Sequence, residues 1–144
     1  MCSINGFTWQ DETLVRQMNK VTAHRGPDGT GAFVAPHISL GHNRLAIIDL
    51  SPSGAQPMKS RDGRFAIVFN GEIYNFKELR RELESVYPFS SATDTEVILA
   101  AYEQWGEQAF ARLNGIFAFA LWDTREKTLR LVRDPVGIKP LYYY

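Results

Sequence analysis

Apolar and polar positions change their period several times along the chain, and each change marks an element. Residues 2–7 are short and mixed and read as a strand. Over residues 11–23, Leu14, Met18 and Val21 fall on one helical face with Val15 beside them. The run His24-Arg25-Gly26-Pro27-Asp28-Gly29-Thr30-Gly31 breaks that helix with three glycines and a proline. Strands are predicted over 32–35 and 38–48, and a loop over 49–60, punctuated by Pro52, Gly54 and Pro57. Residues 64–69 (RFAIVF) are β-branched and aromatic, the signature of a buried strand, and end on the turn pair Asn70-Gly71. Asn75 with Glu78 marks a helix start, followed by the apolar face Phe76, Leu79, Leu83 and Val86. Pro88 sits in an extended link. Thr93 with Glu96 repeats the capping pattern and opens a second helix, with Val97, Ile98, Ala101, Tyr102 and Trp105 as its apolar side and Gly106 as its stop. Residues 116–122 (IFAFALW) form an apolar run of strand length, and 128–132 pairs with it as a hairpin. Asp134-Pro135-Val136-Gly137 is a turn, and 141–144 is predicted to begin a further strand. Strands, then helices, then strands indicate an α+β layered fold with largely antiparallel sheets.

Composition narrows the class. The 144 residues are 44% hydrophobic and 22% charged, with 16 bases against 16 acids. That mix excludes a disordered tail and suits one domain, since a chain of this length buries roughly 68–70% of its unfolded surface. Zero formal charge provides no electrostatic footprint for nucleic acid or an anionic membrane. No apolar run approaches the roughly 18 residues of a membrane span, and the start MCSINGFTWQDE does not read as a secretory signal. One cysteine cannot form an internal disulfide, and Cys/His metal spacing is absent. The expectation is a cytoplasmic protein without a metal site.

The position of that one cysteine matters more than its number. Loss of Met1 would leave Cys2 with a thiol and a free α-amine on one residue. An α-amine ordinarily titrates at about 7.7–8.0 and a thiol at about 8.5, so the amine can take the thiol proton and the nucleophile carries its own base. Asn70 and Gly71 offer a side-chain amide and an unobstructed backbone N–H, the two donors an oxyanion needs; equally, Asn-Gly is a common turn. Arg44 can grip a carboxylate through two parallel bonds. Asp94 stands at a helix start, where it either complements the helix dipole or, with Glu72, receives an ammonium. Pairing of Cys2 with His24, His37 or His42 as in a thiol protease is not singled out by any spacing. Walker A and GxGxxG patterns are absent, so nucleotide binding is not expected.

Taken in order, Met-Cys-Ser-Ile, HRGPDGTG, LGHNRLAIIDL with GAQPM, FNGEIYNFKELR, TDTEVIL, LNGIFAFALWD and RDPVGIKPLYY closely resemble the class II, N-terminal nucleophile glutamine amidotransferase domain of asparagine synthetases, over essentially the whole chain. The resemblance implies the four-layer αββα sandwich of N-terminal nucleophile hydrolases, here truncated at its C-terminal end. It implies that Cys2 attacks the side-chain amide of L-glutamine to give a thioester, then glutamate and ammonia. Asn70 and Gly71 would form the oxyanion hole. Arg44 would hold the α-carboxylate with the backbone at Ile47 and Ile48 lining the pocket; Glu72 and Asp94 would hold the α-ammonium; Arg25 and Gly26 would form a loop beside the nucleophile. The expected partner is an ATP-dependent synthetase domain that amidates aspartate, with ATP and Mg belonging to that domain and no cofactor to residues 1–144; a homodimer is a further expectation. Two alternatives stand beside this: a catalytically inactive remnant that binds glutamine or a partner, and an amidotransferase half serving another acceptor.

Overall fold

The computed structural model describes residues 1–144. Strands β1 (Ser3–Phe7), β2 (Gly29–Ala35) and β3 (Ile38–Arg44) form one antiparallel sheet in the order β1-β3-β2. Strands β4 (Met58–Lys59), β5 (Phe65–Ile73), β6 (Gly115–Asp123) and β7 (Thr128–Arg133) form a second antiparallel sheet in sequence order. Helix α1 (Glu12–Val21) covers the outer face of the first sheet, while α2 (Phe76–Leu83) and α3 (Asp94–Trp105) cover the second. The layers therefore run helix, sheet, sheet, helices.

Strand periodicity decides what fills each seam. On β5 and β6, Phe65, Ile67, Phe69, Ile73, Phe117, Phe119 and Leu121 point to α3 and pack on Val97, Ile98, Leu99 and Tyr102. The intervening Ala66, Val68, Ala120 and Trp122 point the other way and meet Ile38 and Leu40 of β3 between the sheets. Small Ala100 and Ala101 let α3 approach Leu83 and Tyr87 at the end of α2. The seam under α1 is polar instead. Asn5 donates to Asn19 (2.8 Å), Asn19 donates to the Gly31 carbonyl (2.9 Å), and Asn43 donates to Ser3 Oγ, Thr22 Oγ1 and the Asn19 carbonyl (3.0, 3.0 and 2.8 Å).

Several boundaries differ from the sequence expectation. Strand β3 ends at Arg44, not at 48. Ile47 is 61% exposed, so the apolar tail of that run is not core. Asn70-Gly71 is not a turn, because pairing with β6 carries β5 straight through it, with Asn70 opposite Ala118 and Gly71 opposite Phe117. The loop at 49–60 contains β4 and a short 3₁₀ turn, Pro52–Gly54. Asn75 precedes α2, but its side chain ties Arg112 and Asn114 down instead of capping the helix (2.9 Å each). Thr93 does cap α3 through the Glu96 N–H (3.2 Å). The Glu96 carboxylate does not return to Thr93; it accepts from the N–H and hydroxyl groups of Ser90 and Ser91. Residues 141–144 form no strand, and Tyr142, Tyr143 and Tyr144 are exposed.

Candidate active site

The inter-sheet face of each strand continues past the apolar seam into a cleft at one end of the sandwich. Parity fixes the lining. On β5 the inward series Ala66, Val68 continues as Asn70 and Glu72; on β3 the series Ile38, Leu40, His42 continues as Arg44; on the β1 side, Ile4 is preceded by Cys2. Four residues from three separate strand ends thus meet because each lies two or four positions beyond a seam residue.

Cys2 is half-buried. Its Sγ accepts from the Leu45 N–H (3.3 Å) and donates to the Leu45 carbonyl (3.7 Å). Arg25 Nε donates to the Cys2 carbonyl (3.3 Å). Gly26 lies against the Asn43–Arg44 backbone so closely that a Cβ would stand 2.3 Å from the Asn43 carbonyl carbon. Arg25 thus holds the backbone at Cys2 and Gly26 packs on neighbouring β3, and neither is among the cleft-lining residues.

The β5 edge supplies the donors. Odd-numbered residues of β5 present their backbone groups to the β4 side, and β4 is only two residues long. Beyond it, the Phe69 N–H is taken by Gln56 Oε1 (2.7 Å) and the Ile73 N–H by Asp94 Oδ2 (3.0 Å). Gly71 lies between these two, its N–H on the same β4-side edge by strand alternation, and it lines the cleft. The absence of a side chain here is a packing requirement: a Cβ on Gly71 would sit 2.2 Å from the Ile116 carbonyl oxygen. Asn70, 8% exposed, lines the cleft beside it.

Charged groups complete the lining. Arg44 Nη1 donates to the Ser51 carbonyl (2.8 Å), and Nη2 donates to the Asp49 carbonyl. Two of its five N–H groups are thereby fixed and three remain for a ligand. Gly54 makes room for the guanidinium, since a Cβ there would lie 2.2 Å from Nη2. Asp94 is buried, and burial pushes its carboxyl up to about 6 despite the N–H bonds it accepts; Glu72 beside it acts in the same direction. His42, fully buried between the sheets, faces the Phe69 carbonyl through Nε2 (3.2 Å), while Nδ1 has no partner. Burial holds this imidazole down at about 4.

Cys2, Arg44, Ile47, Ile48, Asn70, Gly71, Glu72 and Asp94 thus share one cleft. Asp49, Gln56, Thr93, Thr95 and Lys139 also line it and had no place in the sequence reading of the site. For Gln56 the GAQPM motif was the only available signal; for Lys139 it was RDPVGIK.

Cys2, at a strand end, thus lines the mouth of an αββα sandwich. Glutamine phosphoribosylpyrophosphate amidotransferase from B. subtilis superposes with a TM-score of 0.79 at 20% identity, over 97% of this chain and 38% of that one. The glutamine amidotransferase domain family matches residues 1–144, and the chain belongs to that family. Asparagine synthetase [glutamine-hydrolyzing] 1 of Bacillus subtilis is 48% identical over 137 residues, covering 94% of this chain and 22% of that protein. Amidase chry2 of Gibberella zeae is 43% identical over 142 residues, covering 97% and 21%. The chain spans about a fifth of the length of these curated relatives. No helix is long and apolar enough to cross a membrane.

Proposed function

We propose that this domain hydrolyses the side-chain amide of L-glutamine and delivers the ammonia to an ATP-dependent synthetase domain that amidates aspartate. The observation that carries the reading is the convergence of Cys2, Asn70, the Gly71 N–H and Arg44 in one cleft. Removal of Met1 frees the Cys2 α-amine, which takes the thiol proton as Sγ bonds to the amide carbon. The resulting oxyanion is met by the Asn70 side-chain amide and the Gly71 N–H. As the C–N bond breaks, the amine returns its proton to the departing nitrogen, ammonia leaves and a γ-glutamyl thioester remains. Water then attacks that carbonyl, the sulfur departs and glutamate is released. Arg44 holds the α-carboxylate beside the Ile47–Ile48 backbone, and Glu72 and Asp94 hold the α-ammonium. Arg25 and Gly26 keep the nucleophile's backbone in place.

ATP and Mg act in the synthetase partner, and these residues need no cofactor. A cytoplasmic location and a homodimeric assembly belong to the same reading. The similarity to Amidase chry2 favours a second acceptor as the alternative, with identical chemistry in this cleft. The test is glutamate release from glutamine by protein whose intact mass shows loss of Met1. Cys2→Ala abolishes it; hydrolysis at the parental rate by Cys2→Ala, or by protein retaining Met1, refutes the mechanism.

A further inference from the structure

The segment Arg133–Lys139 is built like a hook. Asp134 accepts from the N–H groups of Phe117 (3.1 Å), Ile138 (2.9 Å) and Lys139 (3.0 Å), and its own N–H donates to the Phe117 carbonyl (2.8 Å). These N–H groups hold its carboxyl at about 2 although burial works against that. Arg133 donates to the Gly137 carbonyl and to the Lys139 carbonyl (2.6 Å). Gly137 turns the chain at φ 74°, a conformation open to glycine. The apolar side chains on this turn do not serve the core, since Val136 and Ile138 are exposed. What the hook does deliver is Lys139. Its side chain is 6% exposed, enters the cleft that holds Cys2, and belongs to none of the ion pairs in the structure. A buried ammonium without a carboxylate is costly unless its charge is used. Its contact is with the N-terminal residue, through Nζ and Met1 Sδ. Met1 therefore touches this ammonium at its side chain and is bonded to the Cys2 nitrogen through its backbone.

We propose that Lys139 is the positioning charge of the nucleophile: once Met1 is removed, its ammonium faces the freed Cys2 α-amine and disfavours protonation there. The amine then stays available as the base at lower pH, because a nearby like charge disfavours the charged form. This rests on the hydrolytic reading above. The other charged groups around Cys2 are Arg25 on its carbonyl, Arg44 on β3, Asp49 in the following loop, Glu72 on β5 and Asp94 at the start of α3. The cations at 25 and 44 are tied to backbone carbonyls, and Lys139 is the one contacting the N-terminal residue.

The experiment compares parent, Lys139→Met, Lys139→Arg and Cys2→Ala as protein lacking Met1, over pH 5–9. The acid limb of kcat/KM should move up by about one pH unit in Lys139→Met, return in Lys139→Arg, and leave KM for glutamine within about twofold. The chain has a single cysteine, so iodoacetamide labelling gives a second readout without turnover, and its pH midpoint should move the same way. Lys139→Gln replaces Lys139→Met if the latter fails to fold. An unmoved limb with a raised KM makes Lys139 a ligand-binding group and overturns the proposal; an unmoved limb and midpoint with only a lower Tm makes it packing and does so too. If Cys2→Ala is inactive while the Lys139 variants keep the parental profile, this inference alone fails. If Cys2→Ala remains active, the hydrolytic reading falls and takes this inference with it.

Discussion

Asp94→Asn separates what the site needs from what the fold prefers. Asp94 is buried at the start of α3, and its carboxyl is lifted from 3.8 to about 6 by burial. That is about two pKa units, so the ionised carboxylate weighs against the folded state by about 3 kcal/mol at neutral pH. Asparagine keeps an acceptor for the Ile73 N–H (3.0 Å in the parent), but it gives up the favourable helix-dipole interaction, roughly 0.3–1 kcal/mol, and some of the remaining N–H bonds. The variant should therefore be more stable by about 1–2 kcal/mol at pH 7.5. Between about 4, where the unfolded carboxyl titrates, and about 6, where the folded one does, the folded parent holds more protons. The Asp94 contribution to its stability falls as pH rises through that window, and the advantage of the variant grows with it. Urea unfolding of both proteins at pH 4.5, 6.0 and 7.5 measures this directly. In parallel, loss of the carboxylate should raise KM for glutamine at pH 7.5. A stability difference that does not vary with pH, or a variant less stable at pH 7.5 than at 4.5 relative to the parent, refutes the assignment of a desolvated charge at Asp94.

Two further outcomes follow from the same geometry. His42 is held at about 4 by burial, whereas an unfolded histidine titrates near 6.5; the His42 contribution to stability, up to about 3 kcal/mol, should be lost as pH falls from about 6.5 to about 4, opposing the Asp94 contribution, and the difference between parent and His42→Asn urea midpoints should shift across that window. Gly54→Ala places a Cβ 2.2 Å from Arg44 Nη2, so displacement of the guanidinium should raise KM for glutamine about tenfold or more with a smaller effect on kcat, as read by steady-state glutaminase assays.

Much of the site was legible because strand parity carries from core to cleft. Once 64–69 and 38–48 read as strands, Asn70 and Arg44 fall in phase with Val68 and Leu40. The Asn70-Gly71 signal misled as secondary structure, since nine residues of pairing with β6 outweigh a local turn preference. The apolar run through Ile47 and Ile48 was read as strand because an apolar side chain looks alike whether it fills a core or walls a cleft. Gln56, Thr95 and Lys139 were not legible as site residues, since a loop, a helix end and a hydrogen-bonded turn bring them in and none of these carries a period.

The cleft belongs to neither sheet. Cys2 and Arg44 come from one and Asn70, Gly71 and Glu72 from the other, so a half-assembled molecule has every strand and no cleft, and on the hydrolytic reading no turnover. Turnover is thus a gauge of docking between the two halves: during refolding it should return only when the last seam closes, later than any signal that reports backbone structure alone.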